Sequence, residues 1–127
     1  MKLLLDTHVL LWWLQDDPSL GTHARRAVER PDNLVFVSAA TAWEIAVKRA
    51  RGKLEAPGDV AEWIDGNSFT RLSIEVQHAV AAAELPHHHG DPFDRLLVAQ
   101  AQLEGLTLTT NDDRIKEYDV AVLDASV

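Results

Sequence analysis

Lys2-Leu3-Leu4-Leu5-Asp6-Thr7 is the stretch whose reading decides the fold of this chain. Its run of leucines leaves no polar face, the pattern of a strand buried on both sides. A carboxylate directly after such a run marks the place where the strand emerges at an edge of its sheet. In an open parallel α/β sheet, ligands and chemistry collect where the carboxyl ends of the strands meet the loops that follow. Asp6 is expected at that edge, and the acids further along that can reach it are Glu44, Asp94 and Asp112.

Working outward, Val9-Leu10-Leu11-Trp12-Trp13-Leu14 is apolar on every side of a helix, so this helix is either central or covered on one face by a partner. Asp16-Asp17-Pro18-Ser19 ends it, and a second helix from Ser19 or Thr22 runs to Arg30, closed by Pro31. Residues 34–37 form a continuous apolar run, a second strand buried on both faces that ends at Ser38. A helix follows to Arg51 with Gly52 as its stop signal, and the loop Glu55-Ala56-Pro57-Gly58-Asp59 leads to a shorter helix holding Trp63. The third strand covers 69–72, a helix covers 76–85 up to Pro86, and another runs from Phe93 to about Glu104 before Gly105. Residues 106–109 are the fourth strand. Asn111-Asp112-Asp113 opens a short helix to Tyr118, and 120–123 is the fifth strand. Strands alternating with helices predict an α/β domain, a mostly parallel sheet of four to five strands with helices on both faces.

At 127 residues and 14.1 kDa the chain fits one domain, 1–127, with a sizeable core. With 46% hydrophobic and 25% charged residues, long disordered tails are not expected. The lack of cysteine excludes a disulfide framework, a thiolate metal site and a cysteine nucleophile, and suits a reducing cytoplasm. The first strand starts too near Met1 to leave a signal peptide, and no apolar stretch approaches the roughly 18 residues of a membrane span, so the expectation is a soluble, cytoplasmic protein. A net charge of −8 argues against a protein that coats nucleic acid non-specifically. It does not exclude a nuclease, because acids gathered around a divalent cation count as negative yet form a cationic site once loaded.

Each acid has an ordinary explanation. Asp6 or Thr7 can cap the first helix, and Thr41-Ala42-Trp43-Glu44 reads as a capping box. Asp91-Pro92-Phe93-Asp94 sets a cap, a first-turn proline and a first-turn acid in their usual order, and Asp112 sits where a helix dipole favours an anion. As a set they are harder to dismiss. Asp6, Asp94 and Asp112 lie beside a strand's C-terminal end or a helix's N-terminal end, and Glu44 lies one turn into the helix after the second strand. In a parallel sheet these points share one edge. Unpaired carboxylates brought together repel and shift upward in pKa. A hard divalent cation with oxygen ligands, Mg²⁺ or Mn²⁺, relieves that strain.

Leu3-Leu4-Leu5-Asp6-Thr7-His8-Val9-Leu10-Leu11-Trp12-Trp13-Leu14, Ser38-Ala39-Ala40-Thr41-Ala42-Trp43-Glu44-Ile45, His88-His89-Gly90-Asp91-Pro92-Phe93-Asp94-Arg95-Leu96-Leu97-Val98-Ala99-Gln100-Ala101 and Leu106-Thr107-Leu108-Thr109-Thr110-Asn111-Asp112 together span nearly the whole chain. In this order and spacing they resemble the PIN-domain family, particularly the ribonuclease toxins of VapBC-type, type II toxin–antitoxin modules. The resemblance implies a PIN-like fold and a metal-dependent endoribonuclease. Its catalytic and metal-binding quartet would be Asp6, Glu44, Asp94 and Asp112, holding one or two Mg²⁺ or Mn²⁺ ions that activate a water. Asp113 competes with Asp112 for the fourth place, whereas Asp91 reads better as a helix cap. Thr7 and Thr110 are supporting hydroxyls, and Ser38 reads equally as an N-cap. The resemblance further implies RNA products with 5′-phosphate and 3′-hydroxyl ends, a homodimer, and a cognate VapB-like antitoxin, with a dimer of toxin–antitoxin pairs as one assembly. An antitoxin arginine would lie among the carboxylates.

Lys48, Arg49, Arg51, Lys53 and Arg95 are candidates for guiding RNA, with solvated helix charges and a Glu44–Lys48 i,i+4 pair as the ordinary reading. Lys48, Arg51 and Arg95 are the best placed. Three adjacent histidines in a loop cannot easily ligate one ion, so His87-His88-His89 is expected to be a solvated rim. Trp12, Trp13, Trp43 and Trp63 are expected in the core or an interface rather than stacked on bases. Two rivals stand beside the nuclease. A Mg-dependent phosphohydrolase of haloacid-dehalogenase type needs a second Asp two residues after the first, where this chain has His8. A non-catalytic binding module would use the acidic groove only to hold a partner.

Overall fold

The computed structural model describes residues 1–56 and 58–127. Pro57, in the loop expected at 55–59, lies outside the described residues. The strands are β1 (Lys2–Leu5), β2 (Leu34–Ser38), β3 (Thr70–Leu72), β4 (Thr107–Thr110) and β5 (Val122–Asp124). They form one parallel sheet in the order β3-β2-β1-β4-β5. Interleaved with them are α1 (Thr7–Leu14), α2 (Thr22–Glu29), α3 (Ala39–Ala50), α4 (Val60–Gly66), α5 (Val76–Glu84) and α6 (Pro92–Glu104).

The leucine run is the centre of this sheet. Leu4 sits in register with Phe36 of β2 on one side and Leu108 of β4 on the other, and Leu3, Leu4 and Leu5 are each 0% exposed. Strand alternation sends Leu3 and Leu5 to one face, among Val9, Leu10, Val37, Ile45 and Phe69. It sends Leu4 to the other, among Leu97, Val98, Leu108 and Ile115. Fully burying one such leucine is worth roughly 1.5–3 kcal/mol, so helices on both faces are the most favourable cover for this strand. Most of α1 packs on the first face: Val9 and Leu10 are buried, whereas Leu11, Trp12, Trp13 and Leu14 are half-buried against it. The helix that is apolar all round is therefore central for its first turns and partly open for its last.

Several boundaries depart from the periodicity. The second strand is not buried throughout, since Leu34 is exposed and Phe36 half-buried. The expected last helix is a single 3-10 turn, Ile115–Glu117, anchored by buried Ile115. The fifth strand begins at Val122 instead of 120, where pairing with Leu108 starts. The helix after β2 opens at Ala39, because Ser38 accepts the Ala40 N–H as its N-cap at 3.0 Å. This removes the capping box read at Thr41–Glu44. Both residues lie within the helix and are buried.

Among the described residues, no helix is long and apolar enough to cross a membrane.

Candidate active site

The strand order reverses at β1, whose chain neighbour β2 lies on one side and β4 on the other. A crevice opens at the carboxyl ends of the strands at such a point. Asp6 leaves β1 there and Asp112 follows β4 there. The turn from α6 through Gly105 into β4 makes α6 run back along the sheet, which brings the N-terminal turn of α6, with Asp94, to the same end. Gly105 has φ +66, the left-handed conformation a C-terminal glycine supplies. Glu44 arrives on the second turn of α3. All four expected acids therefore gather at one end of the sheet, and their charges act on one another: Asp6, Glu44 and Asp112 all bear on Asp94.

Asp6 is 3% exposed and is both cap and site residue. Its Oδ1 accepts the Val9 N–H at 2.8 Å, and its own N–H donates to the Thr109 carbonyl at 3.1 Å. Burial raises its pKa above 3.8 despite hydrogen bonds from Thr110 and Val9 and the nearby His8, and the Asp112 charge adds to the rise. Glu44 is 2% exposed, with Oε1 accepting from Thr7 Oγ1 at 2.6 Å and Oε2 from Lys48 Nζ at 2.5 Å. Thr41 Oγ1 lies 3.3 Å from Thr7 Oγ1 and completes this hydroxyl pair. The bond to Glu44 raises the Lys48 pKa against the effect of burial, helped by the charges of Glu44, Asp91 and Asp94.

Asp94 is pushed up to about 8, first by burial and then by the charges of Asp91, Asp6, Glu44 and Asp112. Asp91 is the cap of α6, accepting from the N–H groups of Phe93 at 2.8 Å and Asp94 at 3.3 Å, as its position before Pro92 suggested. Asp112 is the inward acid. Asp113 is 96% exposed in its side chain and pairs with Lys116 at 3.7 Å. For Asp112, burial alone raises the pKa, but the Arg114 N–H at 2.9 Å and the His89 imidazole outweigh it and hold the group below 3.8.

His89 is the residue that sequence reasoning set aside. Its side chain is 3% exposed, with Nε2 2.9 Å from Asp94 Oδ2 and 3.1 Å from Asp112 Oδ2. The solvated rim expected for the histidine triplet holds for His87 and His88, which are exposed, and fails for His89. One signal was available. Two residues after His89, Asp91 caps a helix and its own N–H needs an acceptor, which Nδ1 supplies at 3.1 Å. His89, Asp94 and Asp112 each present a ligand atom within 4.8 Å of the others. Asp6 and Glu44 border this closest group.

Arg95, expected as a guide for RNA, is engaged by the scaffold instead. Its guanidinium donates to the carbonyls of Ala82 (2.9 Å), Leu85 (3.0 Å) and Pro86 (2.9 Å) and to Tyr118 Oη (3.2 Å). It thus closes the C-terminal end of α5 and leaves little for an RNA phosphate. Arg49 is likewise engaged, lying 5.0 Å over the Trp63 ring and donating to the Gly58 carbonyl at 2.9 Å. Lys48 is bound to Glu44, and Arg51 and Lys53 are exposed just beyond α3. The tryptophans divide: Trp12, Trp13 and Trp63 pack against the core, whereas Trp43 is 58% exposed and meets Phe93 edge-on at 4.9 Å.

Carboxylate oxygens suit a hard divalent cation, and after burial it is the neighbouring carboxylate charges, which such a cation would offset, that raise the Asp94 pKa. The donor set therefore fits a metal.

Comparison with known proteins agrees with this geometry. The PIN domain family model matches residues 3–121. Ribonuclease VapC22 of Mycobacterium tuberculosis is 31% identical over 118 residues, covering 91% of this chain and 90% of that protein. In fold, the chain is similar to a DNA-bound VapBC structure from Salmonella typhimurium (TM-score 0.67, 22% identity, 98% of each chain). It is also similar to VapBC2 from Rickettsia felis bound to a promoter DNA fragment (TM-score 0.66, 14% identity, 97% of this chain and 98% of that one).

Proposed function

Because this chain belongs to the PIN domain family, we propose that it is a metal-dependent endoribonuclease, the toxin of a type II toxin–antitoxin pair, with Mg²⁺ or Mn²⁺ held by the acidic quartet. The observation that carries this reading is the gathering of Asp6, Glu44, Asp94 and Asp112 at the switch point of the sheet, with Asp94 driven to about 8. A divalent cation bound there supplies polarisation of the scissile phosphate and a water of lowered pKa. Asp94 and Asp112 would hold it, with Asp6 beside them on the end of β1. Glu44 is tied at both oxygens by Thr7 and Lys48 on the α3 side. Arg51 and Lys48 remain the basic groups for steering RNA, and removing their charge is expected to flatten the salt dependence of RNA binding.

We read 1–127 as one PIN domain working in the cytoplasm as a homodimer with a VapB-like antitoxin. The VapBC neighbours support the partner, and Leu11, Leu14, Ala56 and Trp63 line a groove that can receive an antitoxin segment. The test is to incubate the purified protein with total RNA, with and without Mg²⁺ or Mn²⁺, and to map the ends beside Asp94→Ala and Asp6→Asn controls. The expected result is metal-dependent fragments with 5′-phosphate and 3′-hydroxyl ends, absent from both variants. Undiminished cleavage in excess EDTA, or by Asp6→Asn, would overturn the reading.

A further inference from the structure

A carboxyl group in the first turn of α6 and another after β4 come from different elements and repel whenever both are ionised, so something must hold them side by side before any cation arrives. His89 stands between them. Its Nδ1 accepts the Asp91 N–H, and a ring nitrogen that accepts carries no proton, so the proton of the neutral ring is on Nε2. That N–H is hydrogen-bonded to Asp112 Oδ2 at 3.1 Å, and Asp94 Oδ2 lies 2.9 Å from the same nitrogen. We propose that His89 is a positioning residue of the metal site, which fixes Asp112 through its Nε2–H and packs the same nitrogen against Asp94, so that both carboxyl groups are set side by side for a divalent cation without His89 ligating it. The inference rests on the metal-dependent reading above and goes beyond it by assigning a role outside the acidic quartet.

The loop is built to keep the imidazole in place. The His89 N–H donates to Tyr118 Oη at 3.0 Å, and Tyr118 Oη donates to the Pro86 carbonyl at 2.8 Å. Arg95 donates to the same phenol oxygen and to the Pro86 carbonyl. The His88 ring meets Tyr118 edge-on at 4.9 Å. The loop 86–91 is thereby tied to α5, to α6 and to the turn after β4, the elements whose spacing sets the distance between Asp94 and Asp112. Arg95 and Tyr118 hold the loop, the loop holds His89, and His89 holds the carboxylates. Groups that orient metal ligands in this way typically contribute about 10–100-fold to metal affinity.

The experiment titrates Mn²⁺ into the wild type, His89→Ala and His89→Gln, with thermal melts of each metal-free protein as the control for folding. The ¹⁵N resonances of the wild-type His89 ring are followed before and after Mg²⁺ is added. Expected are a Kd about 10–100-fold weaker for His89→Ala, substantial recovery in His89→Gln, whose amide N–H reaches the place of Nε2, and an Nε2 that keeps its proton in the Mg²⁺-loaded protein. Equal Kd values for the wild type and His89→Ala would overturn the proposal while leaving the metal site standing. Loss of the Nε2 proton on loading would overturn it in favour of His89 as a ligand. A wild type that binds neither cation would overturn the function on which the proposal rests.

Discussion

Asp94 concentrates the electrostatic cost of the site in one side chain. Its pKa in the folded protein is about 8 against an ordinary 3.8, so the metal-free native state holds a proton that the unfolded chain gives up. The sign follows from linkage: the unfolded state binds fewer protons between these values, and stability falls as pH rises through that window. Metal-free protein is expected to lose stability from about pH 4 to about pH 8 and to level off above, as followed by urea unfolding at each pH. Asp94→Asn removes this dependence. Its gain over the wild type is expected to be absent near pH 4, to grow to about pH 8 and to stay constant beyond, reaching several kcal/mol at its largest. The same variant is expected to lose RNA cleavage by about 100-fold or more, the equivalent of roughly 2.7 kcal/mol of transition-state stabilisation. A residue that costs stability while enabling chemistry is the usual signature of a functional site.

At the scale of elements, Arg95 shows how a cation beside an active site can belong to the scaffold. Its N–H groups take the last carbonyls of α5, which a helix end leaves without intrahelical partners. Arg95→Ala is expected to destabilise the protein by about 1–3 kcal/mol, because partly buried carbonyls lose their donor, and to leave the salt slope of RNA binding unchanged. Arg51→Ala is expected to do the reverse, with stability held to within about 0.5 kcal/mol and a salt slope shallower by about 0.9 for each phosphate that is no longer neutralised. Ser38 is a second joint of this kind. It caps α3, and its hydroxyl donates to Gln100 Oε1 of α6 at 2.6 Å, linking the helix that carries Glu44 to the helix that carries Asp94.

At the scale of the whole molecule, a net charge of −8 concentrates part of its repulsion at one end of the sheet, so a bound cation stabilises the fold as well as the site. Mg²⁺ at about 100 times its Kd is expected to raise the unfolding free energy by about 2.7 kcal/mol and EDTA to reverse it. In Asp94→Asn the effect is expected to be much smaller. A thermal melt with and without the cation checks both.

The sequence alone determined the order and type of nearly every element, because a leucine run, an apolar run before Ser38 and glycine or proline stops are local signals. It also determined that Asp6, Glu44 and Asp94 belong together, since each stands at a recognisable strand end or early helix turn and a parallel sheet brings such points to one edge. Only the tertiary structure decided the rest. Asp112 was separated from Asp113 by the direction each takes after β4, which adjacent residues in one acidic pair do not reveal. Glu44 was removed from its capping box by the earlier start of α3. Arg95 was engaged by the open end of α5, and His89 was drawn out of an apparently solvated triplet by Tyr118 and the cap of α6. Each of these depends on a partner distant in sequence or on the direction a side chain takes in space. That is why the strand ending in Asp6 could announce the site, while the group that stands between its carboxylates became visible only in the folded chain.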